Sequence, residues 1–395
     1  MTPPIKSPSS SLVDYGKLSE QLMIAYTKDV LQRNLQKFHG EQHRQQFKQL
    51  LNQPVIKSIH SLSGIIVRYR HNNSELDKAL DTIDLPKIFE RLEIREKTNK
   101  DKNLDYDDLL VLELLNYFKN DFFKWVNSPD CPSCGSNEDV QGLRAINPSS
   151  SSTISQSQAM IDQVSVIEVH ECKKCKQKIE FPRINNPVTL LTTRRGRCGE
   201  WVNCFMLILQ ALIGGGDDDS DRIRYVWNQE DHVWCEYYSL SSKRWIHLDP
   251  CEGVYDEPLL YCNNWGKRMS YVIGFNYNYM IDLSDKYIVP EKQIPKNSIV
   301  NVQNVNFVIS YLNGINQLKH FKRIEQQQQQ QEVDVNEQRN LAFLKLYHNF
   351  LVPYNKEINQ LKPELTKTTP STDLPLGRQS GSTEWTKSRG ENGES

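Results

Sequence analysis

Two Cys-x-x-Cys pairs constrain this chain more than any other feature. Cys131-Pro-Ser-Cys134 and Cys172-Lys-Lys-Cys175 are separated by 37 residues, 135 to 171. Each pair presents two thiolates at the spacing a tetrahedral Zn2+ uses, and together they supply four ligands. The chain between them must therefore fold back on itself. Strand-like composition runs from Val164 and Val166 to His170, and again from Lys178 to Phe181, as in the arms of a zinc ribbon. The spacer exceeds the usual run of about 15–20 residues, and the Ser-rich stretch 148–158 accounts for much of the excess. Redox-active or disulfide pairs are the alternative, and His170 is an alternative fourth ligand. A four-sulfur site has no open coordination position, so one structural zinc per chain is expected.

Charge excludes some functions. The 48 basic and 49 acidic residues give no net field for nucleic acid or a membrane surface. The start, Met1-Thr-Pro-Pro-Ile-Lys-Ser7, has no apolar stretch of a signal peptide, and no run approaches about 18 apolar residues. Neither secretion nor membrane insertion is indicated. Nine cysteines, an odd number, with four of them in metal-type pairs, point to a reducing, cytoplasmic setting.

The chain divides by composition. Residues 1–60 read as an amphipathic helical extension, with Leu12, Tyr15, Leu18, Leu22, Leu31, Leu35 and Phe38 at helical spacing. Such a helix docks on its own domain or binds a partner. Residues 61–125 are the helical part of the core, with a helix expected from Asp107 to Val126. Residues 126–182 form the zinc module, 183–300 the catalytic core, and 301–362 a helical segment carrying the glutamine run 326–331. Residues 363–395 read as a flexible tail. The Gly- and Asp-rich stretch 214–221 and the glutamine run have loop composition. Asp217–Asp219 lack the spacing of a calcium loop.

A thiol, an imidazole and a carboxylate follow in order. Cys198 precedes Trp201, Val202, Phe205, Leu209, Leu212 and Ile213, an apolar helical stripe that ends at Gly214. Cys198 thus falls at a helix N-terminus, where amides, dipole and the upstream Arg194, Arg195 and Arg197 favour a thiolate. Cys204, further along the helix, reads as a small core residue. His232 to Tyr238 and Lys243 to Asp249 have strand alternation. If Tyr238 pairs with Lys243, His232 faces Asp249 and Glu236 faces Trp245. Asp249 then orients His232, which deprotonates Cys198. His247 is the rival base. Trp125, Trp234 and Trp245 suit a core, but with Glu236 and Glu252 they also suit a sugar-stacking and polar-clamp set.

The segments Arg197-Cys-Gly-Glu-Trp201, Tyr225-Val-Trp-Asn-Gln-Glu-Asp-His-Val-Trp-Cys-Glu236 and Arg244-Trp-Ile-His-Leu-Asp-Pro-Cys-Glu252 resemble the transglutaminase-like superfamily. Within it they resemble the cytoplasmic peptide:N-glycanase family, over about residues 60 to 290. Leu374-Pro-Leu-Gly-Arg-Gln-Ser-Gly-Ser-Thr-Glu-Trp385 also resembles a segment of that family. The resemblance implies an α+β fold: a transglutaminase-like, papain-like cysteine hydrolase core with an inserted four-cysteine zinc module and N-terminal helices. It places the nucleophile on Cys198, the base on His232 and the third member on Asp249. Its zinc ligands fall on Cys131, Cys134, Cys172 and Cys175, and sugar contacts on Trp125, Trp245, Glu236 and Glu252. The implied reaction is amidase removal of N-glycans from misfolded glycoproteins, with a ubiquitin–proteasome shuttle factor as partner. A transglutaminase or cysteine protease using the same triad is the first alternative, and a non-enzymatic glycoprotein-binding module the second.

Overall fold

The computed structural model describes residues 14–69, 73–149, 152–214, 221–328, 334–361 and 374–393. The Asp217–Asp219 cluster and residues 329–331 of the glutamine run lie outside the described residues. The chain forms two compact units, one of Met1–Asn52 with Asn306–Gln360, the other of Gln53–Val305 with Leu361–Ser395. The first segment of the smaller unit ends at Asn52, and the described residues 374–393 belong to the larger unit.

The smaller unit is helical. Helix Tyr15–His39 starts on Asp14, whose carboxylate accepts from the Lys17 amide. It packs on Val335–Leu346, and Phe38 and Phe47 meet Tyr311. Leu31 is buried, but Tyr15, Leu18 and Leu22 are exposed, so the apolar stripe expected from spacing is only partly covered within its own unit.

Among the described residues, the larger unit contains all the strands. These are β1 (Lys124–Trp125), β2 (Val140–Ile146), β3 (Ile167–Cys172), β4 (Lys178–Pro182), β5 (Arg195–Gly196), β6 (Ile223–Asn228), β7 (His232–Ser239), β8 (Arg244–Asp249), β9 (Val254–Tyr255), β10 (Val272–Phe275) and β11 (Met280–Asp282). The order β11-β10-β6-β7-β8-β9 makes an antiparallel six-stranded sheet, and β2-β3-β4 a small antiparallel sheet beside the cysteine pairs. Helix Cys198–Ile213 packs against β6 and β7. All its residues from Glu200 to Gln210 are buried, so what reads as a stripe is a helix covered all round.

The helix expected from Asp107 to Val126 is shorter. Asp105 and Asp108 cap its start reciprocally, each carboxylate accepting the other residue's amide at 3.0 Å. The α-helix ends at Tyr117, a π turn covers Phe118–Phe122, and the chain then extends as β1. The reason is aromatic packing: Phe118 and Phe123 stack on each other, and both meet Trp201 edge-on. That packing delivers Trp125 opposite Gly196 in the parallel β1–β5 pair.

Candidate active site and metal centre

The four sulfurs of Cys131, Cys134, Cys172 and Cys175 lie within 4.8 Å of one another. Cys131 and Cys175 are 3.4 Å apart, and Cys134 and Cys172 3.8 Å. Four sulfurs at about 2.3 Å from a tetrahedral Zn2+ stand about 3.8 Å apart, so the residues fit the ion. The two knuckles share one backbone design. After each second cysteine comes a left-handed residue, Gly135 at φ 69° and Lys176 at φ 62°. Its amide bonds the carbonyl of the first cysteine, Cys131 or Cys172. His170 lies beside the cluster in sequence but approaches Glu168 at 3.4 Å instead. All nine cysteines carry free thiols.

The module is wired to the start of the Cys198 helix. Arg197 donates to both Glu168 oxygens on β3 at 2.9 and 2.6 Å. Arg183, just beyond β4, donates to Glu168 and, through two bonds of 2.6 and 2.8 Å, to Glu200. Glu200 in turn accepts the Arg197 amide at 3.0 Å and caps the helix that Cys198 begins. Gly196 is required here, since a Cβ would stand 2.4 Å from the Glu200 Cβ.

His232 opens β7, and its Nε2 lies 3.0 Å from the Asp249 carboxylate at the end of β8. Asp249 also accepts from the Tyr261 hydroxyl at 3.0 Å and from the Cys251 and Glu252 amides. His232 Nδ1 has no hydrogen-bond partner among the described residues. Burial, then the charge of Arg378, pushes its pKa well below the usual imidazole value. It is therefore a neutral base at neutral pH. Trp234, Tyr261 and Trp265 box its ring at centroid distances of 5.7, 5.2 and 5.2 Å. His247, the rival, is fully buried with both nitrogens engaged, Nε2 with Tyr261 at 2.7 Å and Nδ1 accepting the Glu257 amide.

The strand register differs from the expected one by two residues. Tyr238 pairs with Trp245 and Glu236 with His247. A two-residue shift leaves every side chain on its face, so His232 still reaches Asp249, diagonally.

The four expected sugar contacts divide into two pairs. Glu236 is fully buried: Arg224 and Lys286 each approach within 2.6 Å, and Tyr287 donates at 2.5 Å. The Arg224 guanidinium lies 4.0 Å over the Trp245 ring, and Trp245 is itself buried. The polar and aromatic faces of these two residues are already used inside the fold, which favours a brace over the open clamp expected there. Trp125 and Glu252 instead meet the C-terminal segment. The Glu252 carboxylate accepts the Gln379 and Ser380 amides and the Ser380 hydroxyl at 2.9, 3.1 and 2.6 Å. The half-buried Trp125 has Arg378 over its ring at 4.9 Å.

The cations acting on Cys198 also differ from those expected. Arg194 is spent on backbone carbonyls and on the Phe122 ring, and Arg197 on Glu168. Burial pushes the Cys198 thiol up; Arg378 and Arg183 pull it back, while Asp231 and Glu200 raise it. Arg378 had a sequence signal in the Leu374–Trp385 stretch, whereas Tyr261 had none.

The helix and antiparallel sheet that carry these three residues define a transglutaminase-like protein. The transglutaminase-like superfamily model matches residues 150–250, and the Rad4 transglutaminase-like domain model residues 216–342. Three curated relatives are named peptide-N(4)-(N-acetyl-beta-glucosaminyl)asparagine amidase. One from Candida albicans is 98% identical and covers 100% of both chains. One from Debaryomyces hansenii is 45% identical over 96% of this chain and 97% of its own. One from Kluyveromyces lactis is 35% identical over 84% and 83%. The chain belongs to this family of amide hydrolases.

Proposed function

We propose that this chain hydrolyses the amide joining an N-linked glycan to asparagine, with Cys198 as nucleophile, His232 as base and acid, and Asp249 as orienting carboxylate. The observation that carries the reading is the His232–Asp249 pair, on a strand packed against the Cys198 helix. With Nε2 held by Asp249, Nδ1 is the nitrogen that takes the thiol proton. The Cys198 thiolate attacks the side-chain carbonyl carbon. The C–N bond then breaks as His232 returns the proton to the departing glycosylamine nitrogen. His232 next deprotonates a water that cleaves the thioester, leaving aspartate and the free thiol. The glycosidic bonds stay intact, so no carboxylate pair is needed.

Zn2+ is the metal whose geometry the four sulfurs fit, and it would brace the module that holds Arg197. Trp125, partly open, is suited to stack on a sugar face, with Glu252 ordering the segment beside it. Misfolded N-glycoproteins in the cytoplasm are the substrates this reading implies, with a ubiquitin–proteasome shuttle factor as partner. Among the described residues no helix is long and apolar enough to cross a membrane.

Mass spectrometry of a denatured glycoprotein after incubation with the protein tests the reaction. Release of whole glycan with Asn converted to Asp is the expected outcome, abolished by Cys198→Ala. Loss of the nucleophile from such a triad costs about 10⁶ in rate. A sugar left on asparagine, Gln–Lys crosslinks or a cut backbone as the main product would each overturn the proposal, as would binding without release.

A further inference from the structure

The segment 374–393 is bound around the site at four points. Glu252, three residues from Asp249, holds the 379–380 backbone. Lys267 pairs with Glu391, and Arg389 with Asp231, the residue before His232. The fourth point is Arg378, whose side chain is wholly buried. Its guanidinium stacks between Trp125, Trp265 and Trp385, at 4.9, 5.1 and 4.7 Å from the ring centroids. Trp265 also packs on the His232 ring, while Trp125 packs on Trp201 of the Cys198 helix. The guanidinium therefore lies between the nucleophile's side and the base's side of the site. Its Nη1 bonds Glu391 and its Nε bonds Ser380, both at 2.9 Å. Nη2 is buried with no hydrogen-bond partner among the described residues. A buried donor left open disfavours folding, so this one nitrogen adds nothing to stability where it stands.

We propose that Arg378 is a positioning residue of the reaction: through it, the C-terminal segment supplies the fixed positive charge that favours a Cys198 thiolate beside a neutral His232. The inference rests on Cys198 being the nucleophile. Its electrostatic sense is consistent at both residues. At Cys198, Arg378 is the strongest influence opposing burial; Arg183 acts with it, and Asp231 and Glu200 act against it. Tyr225 and Cys251 also face the sulfur, both held neutral by burial. At His232, Arg378 adds to burial in disfavouring the imidazolium, helped by Lys267 and Arg389 and opposed by Glu391. Asp249 and Tyr261 hold the far side of the ring. A thiolate can then form without a permanently charged imidazole, leaving His232 free to take up and return the proton.

The test is the pH dependence of iodoacetamide alkylation at Cys198, read by peptide mass mapping in full-length protein, with melting temperature followed in parallel. Removing one nearby cation shifts a thiol by about one unit. Arg378→Gln should therefore alkylate about tenfold more slowly at pH 7 and reach the parent rate at high pH. Arg378→Lys should keep the parent profile. A folded Arg378→Gln protein with an unshifted profile would overturn the proposal, even if glycan release falls, since Arg378 would then act on substrate alone. A folded Arg378→Lys protein as unreactive as Arg378→Gln would also overturn it. If neither variant folds, the segment is a brace and the proposal fails. The nucleophile assignment fails separately, if Cys198→Ala still releases glycan.

Discussion

Replacing Glu236 by Gln separates a buried brace from a sugar clamp. The substitution keeps the shape of the side chain and removes its charge. Left behind is Arg224, fully buried like Glu236 itself, with its guanidinium over Trp245; Lys286 is partly exposed and can turn to water. Breaking a buried pair by neutralising one partner costs about 3–5 kcal/mol. An independent route gives a similar figure. Burial alone would raise the Glu236 carboxyl, yet Arg224 and Lys286 hold it at about 2, against 4.5 ordinarily. That difference corresponds to about 3 kcal/mol. In a unit of about 290 residues, about 3 kcal/mol lowers the melting temperature by roughly 5 °C. All seven tryptophans belong to the larger unit, so their fluorescence reports its unfolding without interference from the smaller one. A Glu236→Gln protein that melts with the parent but no longer turns over glycopeptide would refute the reasoning and restore Glu236 as a sugar contact.

Cys172→Ser should lose the metal, about one equivalent per chain by elemental analysis, and with it both melting temperature and activity. A metal-free protein with unchanged melting would contradict this. His232→Gln should abolish glycan release while leaving the fold, whereas His247→Gln should chiefly lower stability, as read by paired activity and denaturation measurements. Acid should destabilise the larger unit well above the carboxylate range. Burial depresses His247 to about 4 from 6.5, so between those values the unfolded chain binds a proton that the folded chain does not. This contribution is complete above pH 6.5 and falls by about 3 kcal/mol as the pH drops through 4. Denaturant titrations at pH 7 and 4.5 should show the decline, and His247→Gln should flatten it.

What the sequence disclosed about the site is what local periodicity controls. The apolar spacing after Cys198 is enough to set a helix, and alternation over 232–249 is enough to put His232 and Asp249 on one face. A two-residue error in register leaves that conclusion intact, because only odd shifts change the face. The same arithmetic put Glu236 and Trp245 on a shared face but says nothing about what covers it. Arg224 and Lys286 come from β6 and from beyond β11, and no pattern along β7 or β8 announces them. Long-range charge pairing explains the other differences too. The arginines just before Cys198 looked like its electrostatic support because they are near in sequence, yet Arg194 turns to carbonyls and Arg197 to Glu168. Arg378, 180 positions later, lies between tryptophans that flank the site. The Arg197–Glu168 link is equally silent in sequence, and it joins the four-cysteine module to the catalytic helix. Cys172, which ends β3 four residues after Glu168, fixes that strand at the cluster. Loosening the cluster frees Glu168, then Arg197, whose amide and side chain set the first turn bearing the nucleophile. A metal held by the four cysteines would therefore bear on the proposed reaction through placement, with no part in the chemistry.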